Sequence, residues 1–363
     1  MNKIIYLDAA ASAQKTRDVI EAEVQFLAHN YANAGRGICA RAAAVDNMVM
    51  DSRRAVADMI GAAPHQVVFT SGTTDGMNRV AQMLRARFSP RMRVAVSALD
   101  HHSARMPFSV DADVVVMPLD KNYDYDLENV PMADVMVITA MSNVLGRAQN
   151  VAGLIRAARR KNPDVITVVD AAQYIAHGVV DVMAWDCDFM CFSGHKIGAD
   201  TGVGVMYIKN PDDFYPDKFG GGMVAKIDGD AWRLEPASAK FEAGTLPLTQ
   251  IAGLRSAISA WRRWNGGADL IHYMYDALAE MPRVKILTAR DSVMLTFVVD
   301  GMHVLDFGAL MGARGVCVRV GNMCATWIHE ALGVPGSVRI SVGPWNTMDD
   351  ARAAVDIIRG ILK

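Results

Sequence analysis

The sequence is short of cysteine, almost free of net charge, and lacks any long apolar run. Its cysteines, Cys39, Cys187, Cys191, Cys317 and Cys324, form an odd and scattered set, which argues against a disulfide-stapled secreted scaffold. Cys187 and Cys191 have a spacing seen in metal sites, but no second cluster completes one. They flank a buried-looking strand, so small core residues is the better reading and no metal is expected. A formal charge of −2 carries no basic excess to attract nucleic acid or membrane lipid. No uninterrupted apolar stretch approaches the ~20 residues a membrane-spanning helix needs. The start, Met1 to Asp8, runs straight into a strand-like segment without the apolar stretch and small-residue cleavage site of a signal peptide. Internal repeats and low-complexity tracts are absent too. A reduced, cytoplasmic protein is the expectation.

What is present is apolar content: 52% of 363 residues, enough for a large core and, at this length, for two domains. Over the first 250 or so residues strand-like runs alternate with helical patterns. Val67 to Thr70 leads through a Gly/Thr turn into a helical pattern from Asp75 to about Phe88. Val94 to Val96 precedes Asp100-His101-His102, and Val135 to Thr139 precedes Asn143. A helical stretch with apolar Val151, Leu154, Ile155 and Ala158 follows, and then Val165 to Val169 leads to Asp170. Repeated strand–loop–helix units predict an α/β fold with a mostly parallel sheet covered on both faces. Ligands gather at the carboxyl ends of such strands, where Thr74, His101, Asn143 and Asp170 would converge.

Beyond Leu248 the pattern changes. Ile251 to Trp264 predicts a long amphipathic helix ended by Asn265-Gly266-Gly267. Shorter strand candidates follow at 293–299, 316–320 and 338–342, alternating with helical patterns at 303–312 and 349–362. The expected division is a large unit over 1–264 and a smaller C-terminal α/β unit over 265–363.

The chemistry centres on Lys196, in Cys191-Phe192-Ser193-Gly194-His195-Lys196 after an apolar run. A lysine amine at a strand end, beside Ser and His donors, can form a Schiff base with an aldehyde cofactor. Asp170, ending the neighbouring strand, can hold a protonated pyridine nitrogen by favouring its charged form. Those are the two contacts that pyridoxal 5′-phosphate (PLP) most needs. Alone, Asp170 would read as a helix N-cap or a turn; its place upstream of the lysine decides for the cofactor.

The other candidates each carry a plainer alternative. Ser71-Gly72-Thr73-Thr74-Asp75-Gly76 combines glycine, hydroxyls and a helix N-terminus, which suits a phosphate, or simply a capped helix start. No Gly-Lys-Ser/Thr follows, so it is not a Walker A loop. His101 suits stacking on a cofactor ring, though paired histidines also occur in polar loops. Arg339, in a strand pattern opposite Val338 and Ile340, suits two parallel hydrogen bonds to an amino-acid carboxylate, or a solvent-facing strand position. Cys324, after Arg319-Val320-Gly321-Asn322-Met323, sits where a loop can present a thiol to a pocket, yet a lone cysteine is usually an inert small residue.

Taken together the motifs resemble group II (Suf-type) cysteine desulfurases. The resemblance is carried by Tyr6 to Gln14, Arg36-Gly37-Ile38, Gly72 to Asn78, Asp100-His101-His102 and Ser142 to Gly146. It continues through Asp170-Ala171-Ala172-Gln173, Ser193 to Lys196, Phe241 to Thr245 and Arg319 to Ala325, in family order over nearly the whole chain. It implies the fold-type-I aminotransferase architecture, with a seven-stranded, mostly parallel sheet in the large domain, and a homodimer with sites at the subunit interface. It makes Lys196 the Schiff-base lysine, Asp170 the pyridine partner and His101 the ring-stacking residue, with Gln173 at the phenolic oxygen. Thr73, Thr74, Ser193 and His195 would hold the phosphate with Thr245 from the other subunit. Arg339 and Asn143, with Arg319 as a further candidate, would bind the substrate carboxylate, and Cys324 would accept the sulfur. The implied reaction turns L-cysteine into L-alanine and leaves a persulfide on Cys324 for a Suf-type acceptor protein serving iron–sulfur cluster assembly.

The chain departs from that family's pattern in four places. Asn322-Met323 stand where His-His usually precedes the cysteine, and Gly35 where a histidine commonly precedes Arg-Gly-Ile. Gly198-Ala199-Asp200 replace a Tyr-Gly-Pro-like turn. The family's extra N-terminal segment is nearly absent, which is expected to alter packing on the small domain. Alternatives with the same cofactor are a selenocysteine lyase, another C–S lyase or an aminotransferase that does not use Cys324. A non-catalytic scaffold would have little reason to keep Lys196, Asp170 and His101 together.

Overall fold

The computed structural model describes residues 4–35, 37–88, 91–264 and 266–363. Arg36 of the Arg-Gly-Ile motif, Asn265 at the expected domain boundary and Met1 to Lys3 lie outside these residues.

After a short strand β1 (Ile5–Tyr6), seven strands build the main sheet. They are β2 (Val67–Thr70), β3 (Arg93–Val96), β4 (Asp113–Val116), β5 (Val135–Thr139), β6 (Ile166–Asp170), β7 (Phe189–Ser193) and β8 (Gly204–Ile208). Their order is β2-β8-β7-β6-β5-β3-β4. β8 pairs antiparallel with both neighbours, β2 and β7, and every other pairing is parallel. The central strands read as largely apolar runs because both faces are covered. All five positions of β5, β6 and β7 are buried. Alternate residues feed two separate cores: Met136, Ile138, Val169 and Phe192 point to one, and Val135, Val137, Val168 and Phe189 to the other. A parallel strand can be reached only by a crossover, and the crossovers here are helices such as Thr73–Arg87 and Val151–Lys161. Asn150 caps the latter by accepting from the Gly153 N–H at 2.9 Å, and Arg159, Arg160 and Lys161 face its C-terminal dipole.

A surface hairpin of β9 (Val224–Asp228) and β10 (Ala231–Leu234) precedes the helix Leu248–Trp261, which begins earlier and ends sooner than its periodicity predicts. The smaller unit follows, with β11 (Val284–Ile286), β12 (Leu295–Val299), β13 (Val316–Cys317), β14 (Arg319–Gly321) and β15 (Ser337–Ile340). Four of these form an antiparallel sheet in the order β11-β12-β15-β14. The expected strand over 316–320 is two: β14 pairs with β15, whereas β13 pairs in parallel with β1. Ile5 and Leu7 therefore pack with Leu295, Phe297 and Val338, and Asp8 forms a bridge to Ser341. The first described residues belong to the C-terminal core, because Ile5 and Leu7 bury their alternating side chains there while β13 offers the backbone partner.

Candidate active site

The loops after β2, β3, β5, β6 and β7 enclose a cavity of about 310 Å³ at the carboxyl ends of the parallel strands. Its wall includes Thr73, Thr74, His101, Asn143, Asp170, Gln173, Ser193, His195, Lys196, Arg319, Cys324 and Arg339. Of the residues singled out from the sequence, Thr245 alone is not on this wall. It lines a separate surface hollow with Gly35, Asp46 and Gly222.

A corner suited to an anion is made by β2, β7 and the start of the helix Thr73–Arg87. Gly72 is the residue before that helix, with φ +150°, and has no side chain to cap the first turn. A Cβ on Gly72 would stand 3.2 Å from Ser193 Oγ, and one on Gly204 would fall 2.5 Å from Gly72 Cα. Both positions therefore need glycine to let turn and strand close together. Ser193 Oγ accepts from the Thr73 N–H at 2.7 Å and lies 2.8 Å from Thr73 Oγ1, so the hydroxyls gather where helix N–H groups point outward. His195 stands beside them, its pKa pushed down to about 4 by burial and by the Lys196 charge.

Lys196 follows β7 on a single turn, Gly194–Ile197, ended by left-handed Gly198. Its Nζ donates to the main-chain oxygens of Ala10 at 2.7 Å and Ala11 at 3.2 Å. Burial, reinforced by the nearby Arg339 charge, pushes its pKa down to about 8. Asp170, at the end of β6, is buried and accepts from the Ala172 N–H at 2.9 Å. Among the described residues it has no ion-pair partner, and burial pushes its pKa up to about 6 against the pull of that hydrogen bond and of Lys196. Gln173 donates from Nε2 to Ala10 O at 2.8 Å.

His101 is held by its own loop. Its Nδ1 accepts from the Ser103 N–H at 3.2 Å and lies 2.8 Å from Ser103 Oγ, so it caps the helix His102–Ser109. Burial, then the Lys196 charge, pushes its pKa down to about 4, and the ring is neutral at physiological pH. Beneath it, fully buried Asp100 accepts from the Ser97 N–H and the Thr139 hydroxyl, each at 2.7 Å.

The opposite side comes from the smaller unit. Arg339, on β15, is 2% exposed, which removes the solvent-facing alternative. Its Nη1 donates to Asn143 O at 2.7 Å and its Nη2 to Asp8 Oδ1 at 3.2 Å. Arg319 Nη2 reaches the other Asp8 oxygen at 2.6 Å. Asp8 is the site residue that sequence reasoning missed. Its signal was a carboxylate just after an apolar strand pattern, but only the β1–β13 pairing brings it to the arginines. Asn143 donates from Nδ2 to Met323 O at 2.9 Å, and the His102 N–H donates to Cys324 O at 2.8 Å. Cys324 is thus exposed and on the cavity wall at once.

Three buried polar atoms of this cavity have no hydrogen-bond partner among the described residues: Asn143 Oδ1, Gln173 Oε1 and Arg339 Nε. Native interiors rarely leave such atoms unpaired, so their convergence marks a place for polar ligands. An unpaired buried carboxyl, a lysine of lowered pKa and an anion corner fit a phosphorylated pyridine aldehyde together with an amino acid.

Residues 5–353 match the class-V aminotransferase family. The chain is 33% identical to a cysteine desulfurase of Escherichia coli over 96% of its own length and 90% of that protein's. It is 32% identical to a probable cysteine desulfurase of Pseudomonas putida, covering 97% and 92%. Among solved structures, the Escherichia coli cysteine desulfurase CsdA superposes with a TM-score of 0.91 at 31% identity, over 99% of this chain and 94% of that one. The apo cysteine desulfurase of Thermococcus onnurineus superposes at 0.94 and 27%, covering 99% and 95%. The chain belongs to the class-V aminotransferase family, a family of PLP enzymes, and its fold is PLP fold type I.

Proposed function

We propose that this class-V aminotransferase is a cysteine desulfurase of the Suf-type group, which converts L-cysteine to L-alanine and retains the sulfur on Cys324 as a persulfide. One observation carries the reading: the cavity that holds Lys196 and Asp170 also reaches an exposed cysteine on a loop of the smaller unit.

Thr73, Thr74, Ser193 and His195 would hold the cofactor's phosphate, Asp170 its ring nitrogen, His101 its ring face and Gln173 its phenolic oxygen. Lys196 would carry it covalently. Thr245, away from its own chain's cavity, would complete the phosphate site of a second copy in a homodimer. When bound, PLP supplies an electron sink that loosens the bonds at the substrate Cα and, through it, the Cβ–S bond.

The chain's own residues do the rest. Arg339, with its Nε–H unspent, grips the substrate carboxylate next to Arg319. Lys196, once freed, takes the Cα proton; with a pKa near 8, part of the amine is neutral at physiological pH. His101 stays neutral beside it and is free to exchange protons. The Cys324 thiolate attacks the substrate sulfur: the S–S bond forms as the Cβ–S bond breaks. The electron pair left on Cβ takes a proton to give alanine. The two electrons that the S–S bond costs the sulfurs are taken up by Cβ as it becomes a methyl group, so no outside oxidant is needed. Cys324, open to solvent, then hands the sulfur to a Suf-type acceptor protein for iron–sulfur cluster assembly in the cytoplasm.

The test is release of alanine and sulfide from L-cysteine with reductant, wild type against Cys324→Ala. Equal yields from the wild type and neither product from the variant support the reading. Identical behaviour of the two proteins makes Cys324 a bystander and overturns it.

A further inference from the structure

We propose that Asn143 is a positioning residue for Cys324: its side-chain amide latches the cysteine loop at the cavity mouth. This deepens the sulfur-transfer reading and rests on it.

Met323 and Cys324 have φ values of +50° and +52°, two successive non-glycine residues in the left-handed region. L side chains adopt that region singly and at a cost, so a pair persists only where the surroundings impose it. Two hydrogen bonds impose it here, one on each carbonyl. The His102 N–H holds Cys324 O, and Asn143 Nδ2 holds Met323 O. The first is main chain to main chain. The second depends on a single side chain.

That side chain is well anchored. Asn143 is 8% exposed, follows β5 of the main sheet, and its own carbonyl accepts from Arg339 Nη1. A continuous chain of bonds therefore runs from the carboxylate-gripping arginine through Asn143 to the residue before the thiol. One of the amide's two N–H groups is spent on Met323, and the other stays open toward a ligand in the cavity. Arg339 takes the substrate's carboxylate, and Asn143, through the N–H that it gives to Met323, sets where the thiol waits relative to it. Without the latch, Met323 and Cys324 relax toward negative φ and the thiol leaves its place on the cavity wall.

The test uses PLP-loaded protein with Asn143→Ala and Asn143→Asp. The aspartate keeps the shape of the side chain but has no N–H to offer, so it guards against a merely collapsed cavity. Amide hydrogen exchange in the peptide spanning 320–327 should speed up about five- to tenfold in both variants, the factor one lost hydrogen bond supplies. The kcat for cysteine should fall by a similar factor. Exchange is measured without substrate and kcat at saturating cysteine, so that any share of Asn143 in carboxylate binding falls on KM instead. Unchanged loop exchange in either folded variant overturns the latch, as does faster exchange with an unchanged kcat. Wild-type protein that makes no alanine from cysteine would sink the desulfurase reading on its own, while the exchange result would still decide whether the latch exists.

Discussion

Asp8 and Arg339 meet inside the protein, Arg339 Nη2 donating to Asp8 Oδ1 at 3.2 Å with both side chains nearly out of solvent. The carboxylate is the buried counter-charge of the guanidinium. Burial lowers the Arg339 pKa to about 10 and Asp8 opposes the shift. Asp8→Asn should therefore destabilise the protein by about 3 kcal/mol or more, the usual cost of stranding one buried charge. A carboxylate ligand can replace what is lost. Thermal melts should show the variant recovering more stability than wild type when L-alanine is added, and equal gains would refute the account.

Lys196 attacks an aldehyde only as a neutral amine. With its pKa lowered to about 8, the nucleophilic fraction falls roughly tenfold per pH unit below that value and levels off above it. The rate at which cofactor-free protein takes up PLP, followed by visible absorbance, should trace this curve. Lys196→Ala should show no covalent uptake at any pH. An inflection near 10.5 instead of 8 would mean that burial does not tune this amine.

Gly72 is a close-packed point of the anion corner. Its φ of +150° lies in a region essentially reserved for glycine, and a Cβ would press on Ser193 Oγ. Gly72→Ala should cost about 1–3 kcal/mol of stability. Equilibrium dialysis should show cofactor affinity weakened at least about tenfold, since Ser193 and Thr73 must part. Wild-type affinity would detach this turn from the phosphate.

The Phe241 to Thr245 motif is tied to the sheet by a buried pair. Arg53 grips Glu242 through two bonds, at 2.8 and 2.7 Å, and the Phe69 N–H donates to the same carboxylate at 2.7 Å. Glu242→Ala leaves Arg53 buried and uncompensated, so unfolding in urea should show a loss of about 3–5 kcal/mol. A change below about 1 kcal/mol would mean the pair contributes little beyond its packing.

Much of the site was legible in the chain because it hangs on strand ends. Val135 to Thr139, Val165 to Asp170 and the run before Ser193 are mostly apolar because both sheet faces are covered. The polar residues that end such runs fall at the carboxyl edge. Lys196, Asp170, His101 and Thr74 were found that way, and all line one cavity. The burial of Arg339 was not legible, since alternation along a short strand cannot tell a solvent face from a face turned toward another unit. Asp8 was missed for a related reason: its partners lie more than three hundred residues away.

The sequence alone determined which groups exist and which strands carry them, because local periodicity and residue chemistry are properties of neighbours along the chain. The tertiary structure decided their mutual relations. A parallel pairing of β1 with β13 carries Asp8 to two arginines. A side-chain amide after β5 holds two left-handed residues in front of the reactive thiol. Such contacts join segments far apart in the chain, and their geometry follows from how the two cores pack, which no local pattern of residues encodes.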